Sequence, residues 1–152
     1  MSVLRDHVVI ITGASGGIGA ATAEVLSEAG MACVLAARNR AKLEALAARL
    51  PRAVACPGDM TDPAMPERLV TAALEGFGRL DVVFNNAGVM HIGSVDEVDI
   101  EAVCRMVRLN VEALVRMSYV ALRHLKAQGR GFLVNTSSFA GLKTFRHIGA
   151  YN

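Results

Sequence analysis

The chain has 152 residues, of which 53% are hydrophobic and 20% charged, and its formal net charge is +2. This size and composition predict one domain with a well-filled core, and a second full domain is not expected. Acidic and basic residues are interspersed, so the sequence indicates no basic face and argues against partners such as nucleic acid or an anionic membrane.

The first predicted element is a strand at residues 8–12, and a glycine turn follows it directly. The turn, Thr12 to Gly19, reads Thr-Gly-Ala-Ser-Gly-Gly-Ile-Gly, and a helix-forming stretch comes next. Without a Cβ, Gly13, Gly17 and Gly19 can turn the chain tightly, admit a pyrophosphate and pack the helix onto the strand. Unpaired N–H groups at the helix start then attract phosphate. The turn alone also fits an ordinary strand-to-helix connection, so the later elements decide between the two interpretations.

The second strand, predicted at residues 33–37, is followed by Arg38 and Arg40 instead of an acidic residue. No Asp or Glu occurs between Glu28 and Glu44, so a ribose with two free hydroxyls would lack its usual carboxylate partner. The guanidinium of Arg38 can bind a 2′-phosphate through charge-assisted hydrogen bonds. We therefore predict NADP(H) in preference to NAD(H). The alternative is that both arginines face solvent at the start of the next helix.

Two rival nucleotide-binding folds fit the same region less well. A P-loop requires Gly-Lys-Ser/Thr at the end of its motif, whereas Gly19 is followed by Ala20 and Ala21. A methyltransferase-like domain would need an acidic residue after the second strand to bind the ribose hydroxyls. Both folds are therefore disfavoured.

The remaining elements alternate between helix and strand. Helical periodicity predicts helices at residues 17–29, 40–50 and 63–77, and apolar runs predict strands at residues 53–56, 82–85 and 132–136. Asp62 is the expected N-cap of the third helix, with Pro63 in its first turn. This alternation predicts an α/β fold of the Rossmann type, a doubly wound parallel sheet with helices on both faces in three layers.

A long helix is predicted at residues 99–128, and Gly129 and Gly131 end it. Glu112 and Arg116 form an i,i+4 pair on its wet side. Asn110 lies within the apolar stripe, so we expect a buried amide that either serves a site or bonds a neighbouring turn. The stripe expected to face inward comprises Ile100, Val103, Val107, Val111, Leu114, Ala121 and Leu125.

The three cysteines, Cys33, Cys56 and Cys104, lie far apart and form no Cys-x-x-Cys pair. No histidine stands at metal-ligand spacing, so we expect reduced, packed thiols and no metal site. The apolar run at residues 8–11 is too short for a signal peptide or a membrane span. These features predict a cytoplasmic location.

Five separated motifs follow one another along the chain, and together they carry a resemblance. With them, the chain closely resembles the short-chain dehydrogenase/reductase family over essentially all of its 152 residues. The motifs are Thr12 to Gly19, Gly58-Asp59-Met60, Asn85-Asn86-Ala87-Gly88, Asn110, and Ser138 with Tyr151 thirteen residues later.

The resemblance implies a role for each of three catalytic residues. Ser138 would hydrogen-bond the oxygen of a small carbonyl or alcohol substrate, and Tyr151 would give or take the proton as nicotinamide exchanges hydride. Asn110 would hold a water of the proton relay. Spacing selects Ser138 over Ser137, which is expected to support the strand end.

The resemblance also implies how the cofactor is bound. Asp59 would contact the adenine ring, although a plain turn aspartate is the alternative; the asparagines after the fourth strand are also expected to tie adjacent strands. Family members often pair the long helix with that of a neighbour, which implies a homodimer or homotetramer. The implied cofactor-binding residues are Gly13, Ser15, Gly16, Gly17, Ile18, Gly19, Arg38, Asp59, Met60, Asn86, Ala87, Gly88 and Tyr151.

The sequence departs from the family pattern near the tyrosine and at the glycine turn. Gly16 replaces a basic residue that often assists NADP binding, so the preference for NADP has to come from Arg38. Arg146 stands where many members have proline, and with Lys143 and His147 it allows a preference for an anionic substrate as an alternative to a solvated loop.

In the family, a lysine one helical turn beyond the tyrosine favours the ionised phenol, whose pKa is otherwise about 10. The sequence stops at Asn152, before that position. We therefore expect a piece of a longer polypeptide, with the last strands of the sheet not included. A chain that truly stopped there would leave an exposed parallel edge. In that case the alternative function is a non-catalytic dinucleotide-binding or redox-sensing module.

Overall fold

The computed structural model describes residues 4–151, and its centre is a five-stranded sheet in the order β3-β2-β1-β4-β5. All four pairs of neighbouring strands are parallel. The predicted doubly wound α/β fold is confirmed, and every strand end lies within one residue of its predicted position. The strands are β1 Val8–Thr12, β2 Ala32–Ala37, β3 Ala53–Pro57, β4 Val82–Asn85 and β5 Phe132–Asn135.

Helices cover both faces of this sheet, and the hydrophobic core forms one layer on each face. Val8 and Ile10 of β1 pack on one side with α3 and α5, whereas Val9 and Ile11 pack on the other with α1 and α2. Successive side chains of a strand point to opposite faces, so a strand buried on both faces is apolar throughout. The helices are α1 Gly17–Glu28, α2 Arg40–Arg49, α3 Met65–Phe77, α4 Ile100–Val107 and α5 Leu114–Gln128, with a π-helical segment at Arg108–Ala113 and a 3₁₀ turn at Phe139–Gly141.

The strand order places a ligand crevice at one end of the sheet. β1 pairs with β2 on one side and with β4 on the other, so the chain connections diverge between β1 and β4. In open α/β sheets, ligands bind outside the carboxyl ends of the strands at such a point. The residues that follow β1 and β4 are therefore the first candidates for a site.

The sequence prediction placed the start of α3 two residues too early. The Asp62 carboxylate accepts the Ala64 N–H at 2.9 Å, and the Met65 N–H donates to the Asp62 carbonyl at 3.0 Å. These bonds close a separate turn around Pro63. The helix then begins at Met65 with Ala64 as its N-cap, and Pro66 takes the first-turn position.

The inward face of the long helix also differs from the predicted stripe. Ile100, Val107 and Val111 are 72%, 45% and 56% exposed, while Ala121 and Leu125 are buried as expected. The inward positions carry mainly small or flexible side chains, which allow the helix to approach the neighbouring elements closely. The π segment also interrupts the regular helical period and so changes which residues face inward. The buried positions of this helix are Ala102, Met106, Ala113, Met117, Ala121 and Leu125.

A buried carboxylate joins three strands at the end of the sheet opposite the crevice. Asp81 accepts the Val8 N–H at 2.9 Å and two guanidinium N–H groups of Arg79, and its own carbonyl accepts the Phe132 N–H at 2.9 Å. Burial alone would raise the pKa of Asp81, but the bonds from Arg79 and Val8 outweigh it and hold that pKa below its usual range. Asp81 therefore fixes where β1, β4 and β5 start.

Within residues 4–151, no helix combines the length and apolar character needed to cross a membrane.

Candidate functional site

Two glycines of the turn after β1 are held against the end of β4. Gly13 has φ +70°, and a Cβ there would lie 2.9 Å from the Ala87 Cα. A Cβ on Gly19 would overlap the Gly13 carbonyl oxygen and lie 2.8 Å from Nδ2 of Asn86. Glycine is therefore required at both positions for close packing, as the sequence predicted.

The middle of the same turn is open instead of packed. A Cβ on Gly16 or Gly17 would meet no atom within 4 Å. Gly16 is the N-cap of α1 and provides no side-chain cap, and the first turn carries no acidic residue. Among the described residues, the start of α1 therefore has no side-chain cap, and the space beside Gly16 and Gly17 is open, which suits an anion.

A first cavity of about 350 Å³ lies beside this turn and extends across the ends of β2 and β3. It brings together eight of the predicted cofactor-binding residues: Gly13, Ser15, Gly16, Arg38, Asp59, Met60, Ala87 and Gly88. Sequence reasoning missed five further lining residues, namely Ala37, Asn39, Gly58, Val89 and Leu109. Four of these are sequence neighbours of predicted cofactor-binding residues, and Leu109 precedes the predicted catalytic residue Asn110. Their position beside predicted site residues was therefore the signal that could have identified them.

The two arginines after β2 have different surroundings. Arg40 forms an i,i+4 ion pair with Glu44 at 3.0 Å, so this arginine fits the solvent-facing alternative. Arg38 lines the first cavity, and among residues 4–151 it forms no ion pair. Asn39 between them caps α2 by accepting the Lys42 N–H at 3.0 Å. Arg38 is thus the guanidinium that remains available to a ligand.

Asp59 fits both of its predicted interpretations. Its Oδ1 accepts the backbone N–H and the hydroxyl of Thr61, each at 2.9 Å, as in a plain aspartate turn. The residue also lines the first cavity. The turn therefore holds the carboxylate at the cavity edge, and Oδ2 has no protein partner among the described residues.

A second cavity, of about 440 Å³, brings the three predicted catalytic residues together. Asn110, Ser138 and Tyr151 all line it, as do the predicted cofactor-binding residues Ile18 and Asn86. It shares Ala87, Gly88 and Val89 with the first cavity, so the two cavities adjoin along these three residues. Lining residues that the sequence reasoning did not assign to the site are Asn85, Val89, Met90, Leu114, Thr136, Ser137 and Gly141.

Asn110 lies in the π segment, and its side chain both donates to and accepts from the loop after β4. Its Nδ2 donates to the Val89 carbonyl at 2.8 Å, and its Oδ1 accepts the Val89 N–H at 3.0 Å. A Cβ on Gly88 would lie 3.2 Å from the same Oδ1. Of the two expectations for this amide, the structure shows the bond to a neighbouring turn, and the residue lines the cavity as well.

Ser138 and Tyr151 reach the second cavity from the segment after β5. Ser138 caps the 3₁₀ turn by accepting the Ala140 N–H at 3.2 Å, which leaves its hydroxyl proton free to donate. The Tyr151 N–H donates to the Ile148 carbonyl at 2.8 Å, so the tyrosine ends a tight turn. Ser137 also lines the cavity, but it is Ser138 that forms the cap.

Side chains at the carboxyl ends of β1, β4 and β5 bind one another. The Thr12 hydroxyl oxygen accepts the N–H groups of Asn86 and Ala87, both at 3.0 Å. Asn86 Nδ2 donates to the Thr12 carbonyl at 3.1 Å, and its Oδ1 accepts the Thr136 hydroxyl at 3.2 Å. Asn85 similarly donates to Asn135 at 2.9 Å. The expected tying role of these asparagines is therefore seen in the structure.

The three cysteines are free thiols, and none of them lines either cavity. Burial raises the pKa of Cys33 to about 11, so that thiol stays protonated near neutral pH. Burial also raises the pKa of Cys56, against the opposing charge of Arg68. In the described part of the chain, no group of three or more His, Cys, Asp or Glu residues is placed to hold a metal ion.

Comparison with known proteins gives consistent matches along the chain. A family model described as short chain dehydrogenase matches residues 7–152. An uncharacterized oxidoreductase of Staphylococcus aureus (strain USA300) is 32% identical over 154 residues, covering 100% of this chain and 67% of the relative. One from Staphylococcus haemolyticus (strain JCSC1435) is 34% identical with the same coverage.

Solved structures match the fold closely. NAD⁺-bound xylitol dehydrogenase superposes with a TM-score of 0.92 at 31% identity, covering 98% of this chain and 59% of that one. A short chain dehydrogenase/reductase from Burkholderia phymatum in complex with NAD gives 0.94 at 31%, covering 99% and 56%. The 3-ketoacyl-(acyl-carrier-protein) reductase from Brucella melitensis complexed with NADH gives 0.91 at 29%, covering 97% and 63%. The chain thus spans less than two thirds of these solved chains.

Proposed function

The chain belongs to the short-chain dehydrogenase/reductase family, and on that premise we propose that it is an NADP(H)-dependent oxidoreductase that interconverts a carbonyl and a secondary alcohol. The observation that carries the proposal is the pair of adjoining cavities. Asn110, Ser138 and Tyr151 line the second cavity, and the glycine turn and Arg38 line the first. Binding a dinucleotide and moving a proton beside it are the two tasks that this reaction requires.

The residues that line the first cavity fit a dinucleotide. The N–H groups at the start of α1 suit the pyrophosphate, and the open space at Gly16 and Gly17 admits it. Asp59 would bind at the adenosine end. When bound, the nicotinamide supplies the hydride acceptor or donor. Residues 1–152 would then belong to a single dinucleotide-binding domain.

The preference for NADP(H) rests on Arg38. The solved neighbours are described with NAD⁺, NAD and NADH, so they support a nicotinamide dinucleotide in general. In this chain, no acidic residue lies between Glu28 and Glu44 to bind a free ribose 2′-hydroxyl. A guanidinium that lines the cavity without an ion-pair partner matches a 2′-phosphate in both charge and geometry.

Ser138 and Tyr151 would act on the oxygen of the substrate. The Ser138 hydroxyl, with its proton free, would donate to that oxygen and orient it. The Tyr151 phenol would donate a proton to the oxygen in reduction and accept one in oxidation. Val89 takes one N–H and one lone pair of the Asn110 amide, and a relay water at this residue would bind a remaining polar position.

A homodimer or homotetramer through the long helix is part of the proposal. Apolar residues recur on that helix at intervals of three or four residues and are 44% to 68% exposed: Val107, Val111, Val115, Tyr119 and Leu122. A stripe of this kind typically marks an interface. Sedimentation of the protein as a monomer at all concentrations would contradict it.

The free thiols are consistent with the proposed cytoplasmic location, because the cytoplasm keeps thiols reduced.

The decisive experiment follows NADPH oxidation with a panel of carbonyl compounds, for the parent protein and for Tyr151→Phe. We expect the variant to lose at least a hundredfold in kcat while it retains NADPH binding, since general acid catalysis contributes about 10²- to 10⁴-fold. Tyr119→Phe, at an exposed position of α5, is the matched control. Equal turnover by Tyr151→Phe and parent would refute the role of the phenol. NADPH binding by the parent without turnover of any carbonyl would favour a sensing module.

A further inference from the structure

The two loops that border the second cavity are joined by a backbone hydrogen bond. The Gly93 N–H donates to the His147 carbonyl over 2.8 Å. The first loop, residues 88–99, brings Val89 and Met90 to the cavity, and the second, residues 136–150, brings Ser138 and leads to the tyrosine. The bond thus connects the two loops that line the region in which the substrate would bind.

His147 makes this bond from a backbone conformation that is unfavourable for it. Its φ is +65°, a left-handed value that glycine adopts freely and that residues with a Cβ rarely adopt. Apart from Asp6 near the first strand, His147 is the one non-glycine residue with positive φ within residues 4–151. Such a conformation persists only when its surroundings hold it in place.

The residues around the bond are closely fitted on both sides. A Cβ on Gly93 would lie 3.3 Å from the Cβ of Val98, so the first loop has little room to shift there. On the other side, the turn that the Tyr151 N–H closes with the Ile148 carbonyl begins one residue after His147. Only a short, turned piece of chain therefore separates the bond from the phenol.

We propose that His147 is a positioning residue whose left-handed backbone directs its carbonyl to Gly93 and thereby fixes the turn that presents Tyr151 to the second cavity. This inference rests on the proposed function, because it takes Tyr151 as the proton donor. The His147 side chain is exposed, so the role belongs to the backbone conformation and not to the imidazole.

Three substitutions separate the backbone from the side chain. His147→Gly and His147→Asn both lose the imidazole, but glycine adopts the left-handed region freely and asparagine tolerates it. His147→Val is β-branched, which makes a positive φ a severe outlier. We expect hydrogen exchange at the Gly93 amide to be about tenfold faster in the valine variant and unchanged or slower in the glycine and asparagine variants.

The second measurement reports on the tyrosine itself. Residues 1–152 contain two tyrosines and no tryptophan, so among these residues Tyr119→Phe leaves Tyr151 as the single strong fluorophore. In that background, we expect NADPH to quench Tyr151 fluorescence in the glycine and asparagine variants and to quench it at least twofold less in the valine variant. The valine variant is also expected to lose about tenfold in kcat with an unchanged Kd for NADPH.

Each other result overturns the inference or one of its parts. Unchanged Gly93 exchange in His147→Val would show that the conformation does not maintain the bond. Faster exchange with unaltered Tyr151 quenching and kcat would show that the bond does not position the tyrosine. Equal losses in all three variants would assign the role to the imidazole.

Two controls keep these outcomes interpretable. If His147→Val does not fold, as thermal unfolding would reveal, His147→Ala provides a milder disturbance for the same measurements. If Tyr151→Phe turns over carbonyls as fast as the parent, the proposed role of the phenol fails, while the Gly93 exchange and the Tyr151 quenching still decide whether the bond places the tyrosine.

Discussion

The side chain of Asn110 and the backbone of Val89 form two hydrogen bonds, one in each direction, at 2.8 and 3.0 Å. This pairing fastens the loop after β4 to the π segment of the long helix. Val89 lines both cavities, so the loop that it anchors forms the boundary between the two expected binding regions.

Removing the amide should therefore cost stability as well as activity. Asn110→Ala leaves the N–H and the carbonyl of Val89 without their partners, and we expect a loss of about 2 kcal/mol in the free energy of unfolding. Asn110→Asp keeps the bond from the Val89 N–H but turns a carboxylate oxygen toward the Val89 carbonyl in place of Nδ2, so its loss at neutral pH should be at least as large. Urea unfolding monitored by circular dichroism measures both. Parent-like stability in the alanine variant would mean that the loop is held by other contacts.

Arg38 should decide between the two nicotinamide cofactors. Arg38→Asp removes the guanidinium expected to bind the 2′-phosphate and adds a carboxylate that can bind ribose hydroxyls. We expect NADPH to bind roughly 10- to 100-fold more weakly, since a hydrogen bond to a charged group contributes about 1.5–3 kcal/mol, and NADH to bind more tightly. Arg40→Asp is the matched control, because Arg40 pairs with Glu44 instead of lining the cavity. An unchanged affinity ratio in the first variant would remove Arg38 from this role.

Two glycines of the same turn should fail in different ways when changed to alanine. Gly19→Ala forces a methyl group against the Gly13 carbonyl, so thermal unfolding should show a loss of about 1–3 kcal/mol. Gly16→Ala meets no protein atom within 4 Å and lies in extended backbone, so the fold should keep its stability. Calorimetric titration of Gly16→Ala should still show weaker NADPH binding, because the added methyl group projects into the space proposed for the phosphate. Identical behaviour of the two variants would contradict this division.

Acid stability should depend on Asp81. Its pKa in the folded protein is lowered, whereas in the unfolded chain an aspartate has its ordinary value of about 4. The stabilisation is therefore complete above that ordinary value and is lost as the pH falls through the lower folded value. Asp81→Asn should reduce stability at pH 7 and flatten the decline below about pH 5. Urea unfolding across that range measures the slope, with Asp96→Asn, at an exposed position, as the control. A slope identical to that of the parent would exclude Asp81 as its source.

The parts of the fold that follow from local patterns were predictable from the sequence. The strand β1 is apolar at successive positions because it is buried on both faces, and Gly13 and Gly19 are glycines because no Cβ fits beside Asn86 and Ala87. The spacing of Ser138 and Tyr151 led to the same cavity that the structure shows.

What the sequence did not predict depends on contacts between distant residues. Apart from Leu125, the buried positions of the long helix are Ala and Met, since other bulky side chains would hold the helix away from α3 and the sheet. A hydrophobic pattern ranks Val107 and Val111 above them. The turn at Asp62 and Pro63 stops short of α3 because its hydrogen bonds close locally. The positive φ of His147 has no compositional signal, since histidine rarely adopts it.

The wall shared by the two cavities limits how the protein can be redesigned. It consists of Ala87, Gly88 and Val89, and a single added methyl group at Gly88 would already press on Asn110. If the first cavity holds the dinucleotide as proposed, enlarging this wall to exclude one substrate would also narrow the space for the cofactor. An engineer who wants new substrates without disturbing cofactor affinity should leave these three positions alone and vary a lining residue from the segment after β5, starting with Gly141, where an added Cβ would meet no atom within 4 Å.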